Sequence, residues 1–212
     1  MNLNLECKLA VVTGAARGIG AAIARGFVDE GASVLMIDMN DDVAIVAAEL
    51  GVESLVCDLT QPGADKSVAA AAGKLGGASI LVNNAGIAVG SAIEDVSMED
   101  AMYQFEVNLF GVGKTVKAVL PHMRSKGSGT IINISSVLGK AYNPLYGWYV
   151  SSKHALEGWS DVLRLEVKQF GIDVVIIEPG LIKTNISNAS AKYYEKYSKN
   201  SEYKNFYIRY KW

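Results

Sequence analysis

Short apolar runs alternate with longer stretches of helical character along most of the chain. Leu9–Thr13, Ser33–Ile37, Ser54–Cys57, Ile80–Val82, Thr130–Ile134 and Asp173–Ile177 predict strands. An apolar stretch at Ile19–Phe27, and Asp41–Leu50, Lys66–Leu75, Met98–Met123 and Tyr149–Phe170, predict the helices between them. Strand and helix in such regular alternation imply an α/β fold. Its sheet is doubly wound and parallel, its crossovers right-handed, and helices cover both faces. Sheets of this kind bind ligands beyond the carboxyl ends of their strands.

Composition narrows the class. The chain has 212 residues, half of them apolar and a fifth charged, which excludes a disordered or fibrous protein and leaves one domain as the expectation. The 21 glycines, against 4 prolines, follow no period and read as devices for tight turns. Cys7 and Cys57 cannot make a disulfide framework, and each sits in an apolar run, so both are expected as buried, reduced thiols. Met1–Lys8 does not read as a secretory signal, and no apolar run approaches the ~20 residues of a membrane span. A soluble, cytoplasmic protein is the expectation.

Charge is uneven. The formal net charge is −2, but the stretch from Asn185 to Trp212 carries +4 and holds six of the ten tyrosines. The remaining acidic body argues against a nucleic-acid partner. The basic, aromatic tail reads as an amphipathic helix or lid, with Tyr193, Tyr194 and Tyr197 at helical spacing. An anionic surface is its other possible contact. Residues 1–184 are accordingly expected to carry cofactor binding and chemistry, and 185–212 to form a lid-like part of the same domain.

The first strand runs into Thr13-Gly14-Ala15-Ala16-Arg17-Gly18-Ile19-Gly20. A glycine turn between strand and helix lets backbone approach a pyrophosphate and aims free helix N–H groups at it. The glycines read G-x-x-x-G-x-G rather than the general G-x-G-x-x-G. Asp38, ending the second strand, can accept bonds from ribose hydroxyls and would repel a 2′-phosphate. Arg17 is the contrary sign, since a cation there could serve that phosphate. With Met39 and Asn40 after Asp38, no second base supports it, and NAD is expected over NADP.

Tyr149 and Lys153 stand four apart at the start of a helix, on one face. A tyrosine with its ordinary pKa near ~10 is a poor base at neutral pH, and an adjacent ammonium stabilises its phenolate. His122 and His154 lack metal-ligand spacing, and no metal is expected.

Taken in order, Thr13–Gly20, Asn83-Asn84-Ala85-Gly86, Asn108, Ser136, Tyr149-Val150-Ser151-Ser152-Lys153 and Pro179-Gly180-Leu181-Ile182-Lys183-Thr184 resemble the short-chain dehydrogenase/reductase family, from about Leu5 to Thr184. The resemblance implies a nicotinamide-dependent oxidoreductase that interconverts a secondary alcohol and a ketone. It makes Tyr149 the acid/base, and Lys153 the group that depresses its pKa and bonds the nicotinamide ribose. Ser136 would polarise the substrate oxygen, and Asn108 would bend its helix and hold a water. Thr13, Gly14, Arg17, Gly18, Ile19 and Gly20 would bind the pyrophosphate side, with Asp58 and Leu59 at the adenine. Asn84, Ala85 and Gly86 would line the cleft, and Pro179, Ile182 and Thr184 would fix the carboxamide. Ser135, Ser151 and Ser152 read as structural.

The apolar stretch Val137–Trp148 suggests a substrate wall, and Lys153–Glu166 is similar to members acting on steroids, retinoids and other lipophilic alcohols. After Thr184 no further helix followed by a seventh strand is readable, so the last strand of the fold is expected to be missing. That counts against a tetramer and leaves a homodimer, as in the family, through the helices of Met98–Met123 and Tyr149–Phe170. The competing function is a catalytically weak dinucleotide-binding sensor or partner protein on the same fold.

Overall fold

All six expected strands form: β1 (Leu9–Thr13), β2 (Ser33–Asp38), β3 (Glu53–Val56), β4 (Ile80–Asn83), β5 (Gly129–Ile134) and β6 (Ile172–Ile177). The structure, a computed structural model, describes residues 3–182 and 185–209, with side chains in the last helical region from Ser190 onward. The strands make one parallel sheet in the order β3-β2-β1-β4-β5-β6. Connecting them are α1 (Gly18–Asp29), α2 (Asp42–Leu50), α3 (Ala64–Lys74), α4 (Met98–Phe105), α5 (Gly111–Lys126) and α6 (Gly147–Val167). The tail adds α7 (Asn185–Ser198) and α8 (Lys204–Arg209).

Strand side chains alternate between the two faces, and the two cores follow that period. Leu9, Val11, Leu35, Ile37, Leu81 and Ile131 face one way, against Val68 of α3, Val116 and Met123 of α5, and Leu156 of α6. Ala10, Val12, Val34, Met36, Ile80 and Val82 face the other, against Ala24 of α1 and Val43 and Ala47 of α2. Because β2 and β3 lie to one side of β1 and β4 to the other, the chain reverses direction across the sheet between β1 and β4. The loops leaving these two strands therefore part at the sheet's carboxyl edge and open a crevice there.

The stretch expected as one helix, Met98–Met123, is divided. A π-helical turn at Glu106–Phe110 joins α4 to α5, with Asn108 buried inside it. Such wide turns are frequent at functional sites. Two other expectations change. Cys7 is exposed, in a left-handed backbone conformation (φ 62°), because the segment before β1 runs over the surface rather than into the core; Cys57 is half-buried. The tail does contain a further helix, α8, though no strand follows it among the described residues. Tyr207 of α8 is buried against Ala92 and Leu145, contacts that local periodicity cannot reveal.

Candidate active site

The glycine turn after β1 is shaped for close backbone approach. Gly14 and Gly18 both have left-handed φ (63° and 59°), a conformation that only glycine adopts without cost. A Cβ on Gly14 would stand 2.8 Å from the Ala85 Cα, and one on Gly20 only 2.1 Å from the Gly14 carbonyl oxygen. The turn is docked onto the loop after β4. Thr13 Oγ1 accepts from the backbone N–H groups of Asn84 (3.0 Å) and Ala85 (3.1 Å). Asn84 Nδ2 donates back to the carbonyls of Thr13 (3.0 Å) and Gly14 (3.1 Å). No side chain caps the first turn of α1, and no acid stands in it, so its positive end is free for an anion.

Asp38 stands at the end of β2 beside this turn. Its carboxylate accepts from the Ala16 N–H and the Asn40 N–H, both at 3.0 Å, one bond to each oxygen, which leaves each with further acceptor capacity. Arg17 is exposed at the same rim. Past β3, Asp58 Oδ1 accepts from the Thr60 N–H (2.9 Å) and hydroxyl (2.8 Å). Burial alone would lift the Asp58 carboxyl, but bonds from Thr60 and Gln61 and the charge of Lys114 hold it below its ordinary range. Lys114 Nζ also donates to the carbonyls of Leu59 (3.0 Å) and Thr60 (2.7 Å), fixing this loop from α5.

The carboxyl ends of β4, β5 and β6 carry the other side. Ser136 caps the 3-10 turn Val137–Gly139, its Oγ accepting from the Leu138 N–H at 3.1 Å. The Ser135 and Val137 N–H groups donate to the carbonyls of Ile177 (2.7 Å) and Pro179 (3.0 Å), which ties the serine loop to the chain after β6. Tyr149 and Lys153, in the first turns of α6, are both buried. Lys153 Nζ donates to the Ile134 carbonyl at 2.9 Å and lies 5.9 Å from the Tyr149 ring centroid. Desolvation pushes the ammonium down to about 8, against an opposing pull from Glu157. Burial pushes the Tyr149 phenol up, opposed by a hydrogen bond with Ser136. In this arrangement burial, and not the lysine charge, is the larger influence on the phenol.

Asn108 holds the β4 loop: its Oδ1 accepts from the Ile87 N–H (2.9 Å), and its Nδ2 donates to the Ile87 carbonyl and to Ser152 Oγ, both at 3.0 Å. Ser152 and Ser151 donate to helix carbonyls, while Ser135 Oγ is buried without a hydrogen-bond partner. Beneath the site runs a buried polar chain that the sequence patterns do not show. Thr115 donates to Asn83, Asn83 to Asn133 (2.9 Å), and Asn133 to Ser160 (2.8 Å). Its sequence signals are Asn83, which opens the Asn83–Gly86 motif, and Asn133 inside the largely apolar run of β5.

These loops enclose one cleft of about 330 Å³. Of the residues singled out from the sequence, Gly14, Arg17, Gly18, Ile19, Asp38, Asp58, Leu59, Asn84, Ala85, Gly86, Ser136, Tyr149, Lys153, Pro179 and Ile182 line it. Thr13, Gly20 and Asn108 stand behind the wall and support it, and Thr184 lies outside the described residues. Cys57, Tyr103 and Val107 also line the cleft and had no motif to mark them.

Three residues of the segment expected as an apolar substrate wall, Leu145, Tyr146 and Trp148, are engaged by the tail. Leu145 packs on Ala92 and Tyr207 in a left-handed conformation (φ 67°), and Tyr146 Oη shares a hydrogen bond with Ser190 Oγ (3.2 Å). Trp148 packs with Val89, Val96, Tyr193 and Tyr197, whereas Tyr142 is exposed and stacks on His154 at 5.5 Å. Helix α7 is latched to the start of α4: Lys196 and Tyr197 both bond the Asp100 carboxylate. Burial would lift the Asp100 carboxyl, but those bonds and the lysine charge outweigh it and hold it low. A carboxyl held low stabilises the docked tail above its ordinary pKa, and that contribution is lost as pH falls through the lowered value. Asp100→Asn is expected to raise amide exchange across 190–198 at neutral pH, measured by mass spectrometry, while leaving the sheet protected.

A protein-family description, short chain dehydrogenase, matches residues 8–195. An uncharacterized oxidoreductase of Bacillus subtilis, YusZ, is 40% identical over 195 residues, covering 86% of this chain and 68% of its own. A 3-alpha-(or 20-beta)-hydroxysteroid dehydrogenase of Mycobacterium bovis is 40% identical over 192 residues, covering 89% of this chain and 74% of its own. Among solved structures, a gluconate 5-dehydrogenase from Burkholderia cenocepacia, in complex with NADP and tartrate, superposes with a TM-score of 0.82 at 29% identity, covering 89% of this chain and 76% of its own. The chain thus spans about two thirds to three quarters of these relatives' lengths. With a parallel sheet, a glycine turn at its switch point and a serine, tyrosine and lysine gathered in one cleft, the chain belongs to the short-chain dehydrogenase family, oxidoreductases that use nicotinamide dinucleotides.

Proposed function

We propose that this chain interconverts a secondary alcohol and a ketone, with Tyr149 as acid/base and NAD(H) as the preferred dinucleotide. The observation that carries the reading is the meeting of Ser136, Tyr149 and Lys153 in the cleft that the glycine turn opens. The glycine turn also fits the cofactor, since a Cβ at Gly14 or Gly20 would fill the space its backbone needs. Gly14 to Gly20, with the uncapped start of α1, would hold the pyrophosphate, and Asp38 the adenosine ribose. Asp58 and Leu59 would meet the adenine, Asn84 to Gly86 the cleft floor, and Pro179, Ile182 and Thr184 the carboxamide. Bound there, the dinucleotide supplies or accepts the hydride.

The protein's own residues handle the proton. Tyr149 Oη gives a proton to the carbonyl oxygen in reduction and takes it from the alcohol in oxidation. Ser136 Oγ donates a second hydrogen bond to that oxygen, so two donors face the charge that develops on it. Lys153 lends positive charge to the phenolate side of the exchange and bonds the nicotinamide ribose. Burial of all three keeps water from competing for the oxygen.

A lipophilic substrate is favoured by the apolar side chains that line the cleft (Ile87, Tyr103, Val107, Ile182) and by the likeness to a hydroxysteroid dehydrogenase. A panel of lipophilic and polar ketones, followed by loss of NADH absorbance, tests this; turnover confined to polar hydroxy-acid ketones would overturn the substrate class. Residues 185–212 would act as the lid, and the exposed Met98, Met102 and Phe110 on α4 and the π turn would support a homodimer. Among the described residues no helix is long and apolar enough to cross a membrane.

Arg17, exposed at the cleft rim, favours the other dinucleotide, and the gluconate 5-dehydrogenase neighbour was solved with NADP. What supports NAD(H) against these is the Asp38 carboxylate, because a 2′-phosphate beside it would place like charges together. Asp38→Ala is expected to narrow an NADH preference at least ~10-fold, about 1.4 kcal/mol, in fluorescence titrations with both cofactors. An unchanged ratio would remove Asp38 from the selectivity.

A further inference from the structure

On α6, Tyr149, Lys153 and Glu157 follow one another at four-residue spacing and so share one helix face. All three are buried, Glu157 to 4% exposure, yet the proton chemistry above has no use for a third ionisable group. A carboxylate is costly to bury unless it is paired. Neither Glu157 oxygen has a well-formed hydrogen bond, and its ion pair is with Lys140 Nζ, 3.1 Å away on an exposed side chain. Lys140 directly follows the 3-10 turn that Ser136 caps. The pair therefore joins the serine's turn to the helix that carries the tyrosine and lysine. Gly139 leaves room for this, since a Cβ there would stand 2.9 Å from Glu157 Oε1.

We propose that Glu157 is a positioning residue, which anchors the Ser136 turn to α6 through Lys140 and, one helical turn beyond Lys153, supplies the fixed negative charge that keeps Lys153 an ammonium. The proposal rests on the reading of Tyr149 and Lys153 given above. Charges on the other packed elements are engaged elsewhere. Glu106 of the π turn pairs with Lys114 at 3.7 Å, and Asp100 of α4 with Lys196. Glu178 after β6 stands 4.0 Å from Lys140, Asp161 of α6 pairs with Arg164, and Tyr149 is uncharged below its raised pKa. Glu157 is the carboxylate whose charge acts on Lys153, against the desolvation that pushes the ammonium down.

Removing the carboxylate leaves desolvation unopposed, so Lys153 loses its proton at lower pH. The test follows the Lys153 side chain in protein labelled with carbon-13 at the lysine ε position, assigned by Lys153→Arg and titrated by NMR from neutral to alkaline pH. In Glu157→Gln the midpoint is expected to fall by about half a pH unit or more, with the alkaline limb of ketone turnover moving the same way. Lys140→Met changes an exposed side chain and removes the cation that shares Glu157, so the midpoint is expected to rise. If Glu157→Gln does not fold, the Lys140→Met titration decides. A midpoint unmoved in folded Glu157→Gln, or unmoved in Lys140→Met, overturns the proposal. Tyr149→Phe separates the two levels: if it keeps full turnover, the reading of the site itself has failed. If it is inactive while Glu157→Gln leaves the midpoint in place, only the role of Glu157 is lost.

Discussion

Tyr149→Phe is expected to lower turnover by about 10³-fold while leaving the affinity for NADH within a small factor of the parent's. The substitution removes one oxygen from a buried ring whose packing against Tyr146, edge to face at 6.2 Å between centroids, it preserves. The fold has no reason to respond, so any loss must come from the missing proton donor and the missing bond to Ser136. Turnover is read from NADH absorbance and binding from the cofactor's fluorescence. A chain that merely senses the dinucleotide would show no turnover to lose, and one that used another acid would keep it. Loss of NADH binding alongside turnover would contradict the assigned role, because it would make the hydroxyl a structural or cofactor-binding group.

Gly20→Ala should damage both the fold and the cofactor cradle. The added methyl would meet the Gly14 carbonyl oxygen at 2.1 Å and Asn84 Nδ2 at 2.6 Å, and the first of these is backbone that cannot rotate away. Overpacking of this kind costs about 1–3 kcal/mol. For a chain of this size each kcal/mol moves the melting temperature by roughly 2–4 °C, so a fall of about 5 °C is expected. The glycine turn must shift off the Asn84 loop to relieve the contact, and NADH affinity should drop at least ~10-fold with it. Gly26→Ala, in the same helix with nothing within 4 Å of its added carbon, provides the contrast: unchanged binding and a slightly higher melting temperature. Equal behaviour of the two variants would show that the turn is not packed as described.

Much of this was legible because the signals are local. The strands of residues 9–13 and 33–38 divide their side chains between two faces by their own period of two, whatever packs on them. The glycine turn declares itself because left-handed backbone needs glycine at particular positions, and Tyr149 and Lys153 share a face because a helix returns every 3.6 residues. The π turn at Asn108 has no such signature, since an insertion into a helical ladder leaves the apolar pattern on either side almost unchanged.

The sequence by itself determined the α/β class, the glycine turn and the shared face of Tyr149 and Lys153, because each depends on chain geometry over a few residues, whereas the other cleft residues were named through the family resemblance. Tertiary structure alone decided how the tail sits. Tyr197 reaches Ser97, a hundred residues earlier, and Tyr207 reaches Ser91 and Asp95, so only the folded sheet brings these partners together. It also exposed Cys7, which lies between Glu6 and Lys8 before the sheet begins. And it set Glu157 against Lys140 beside the serine turn, as a buried carboxylate one helical turn beyond Lys153.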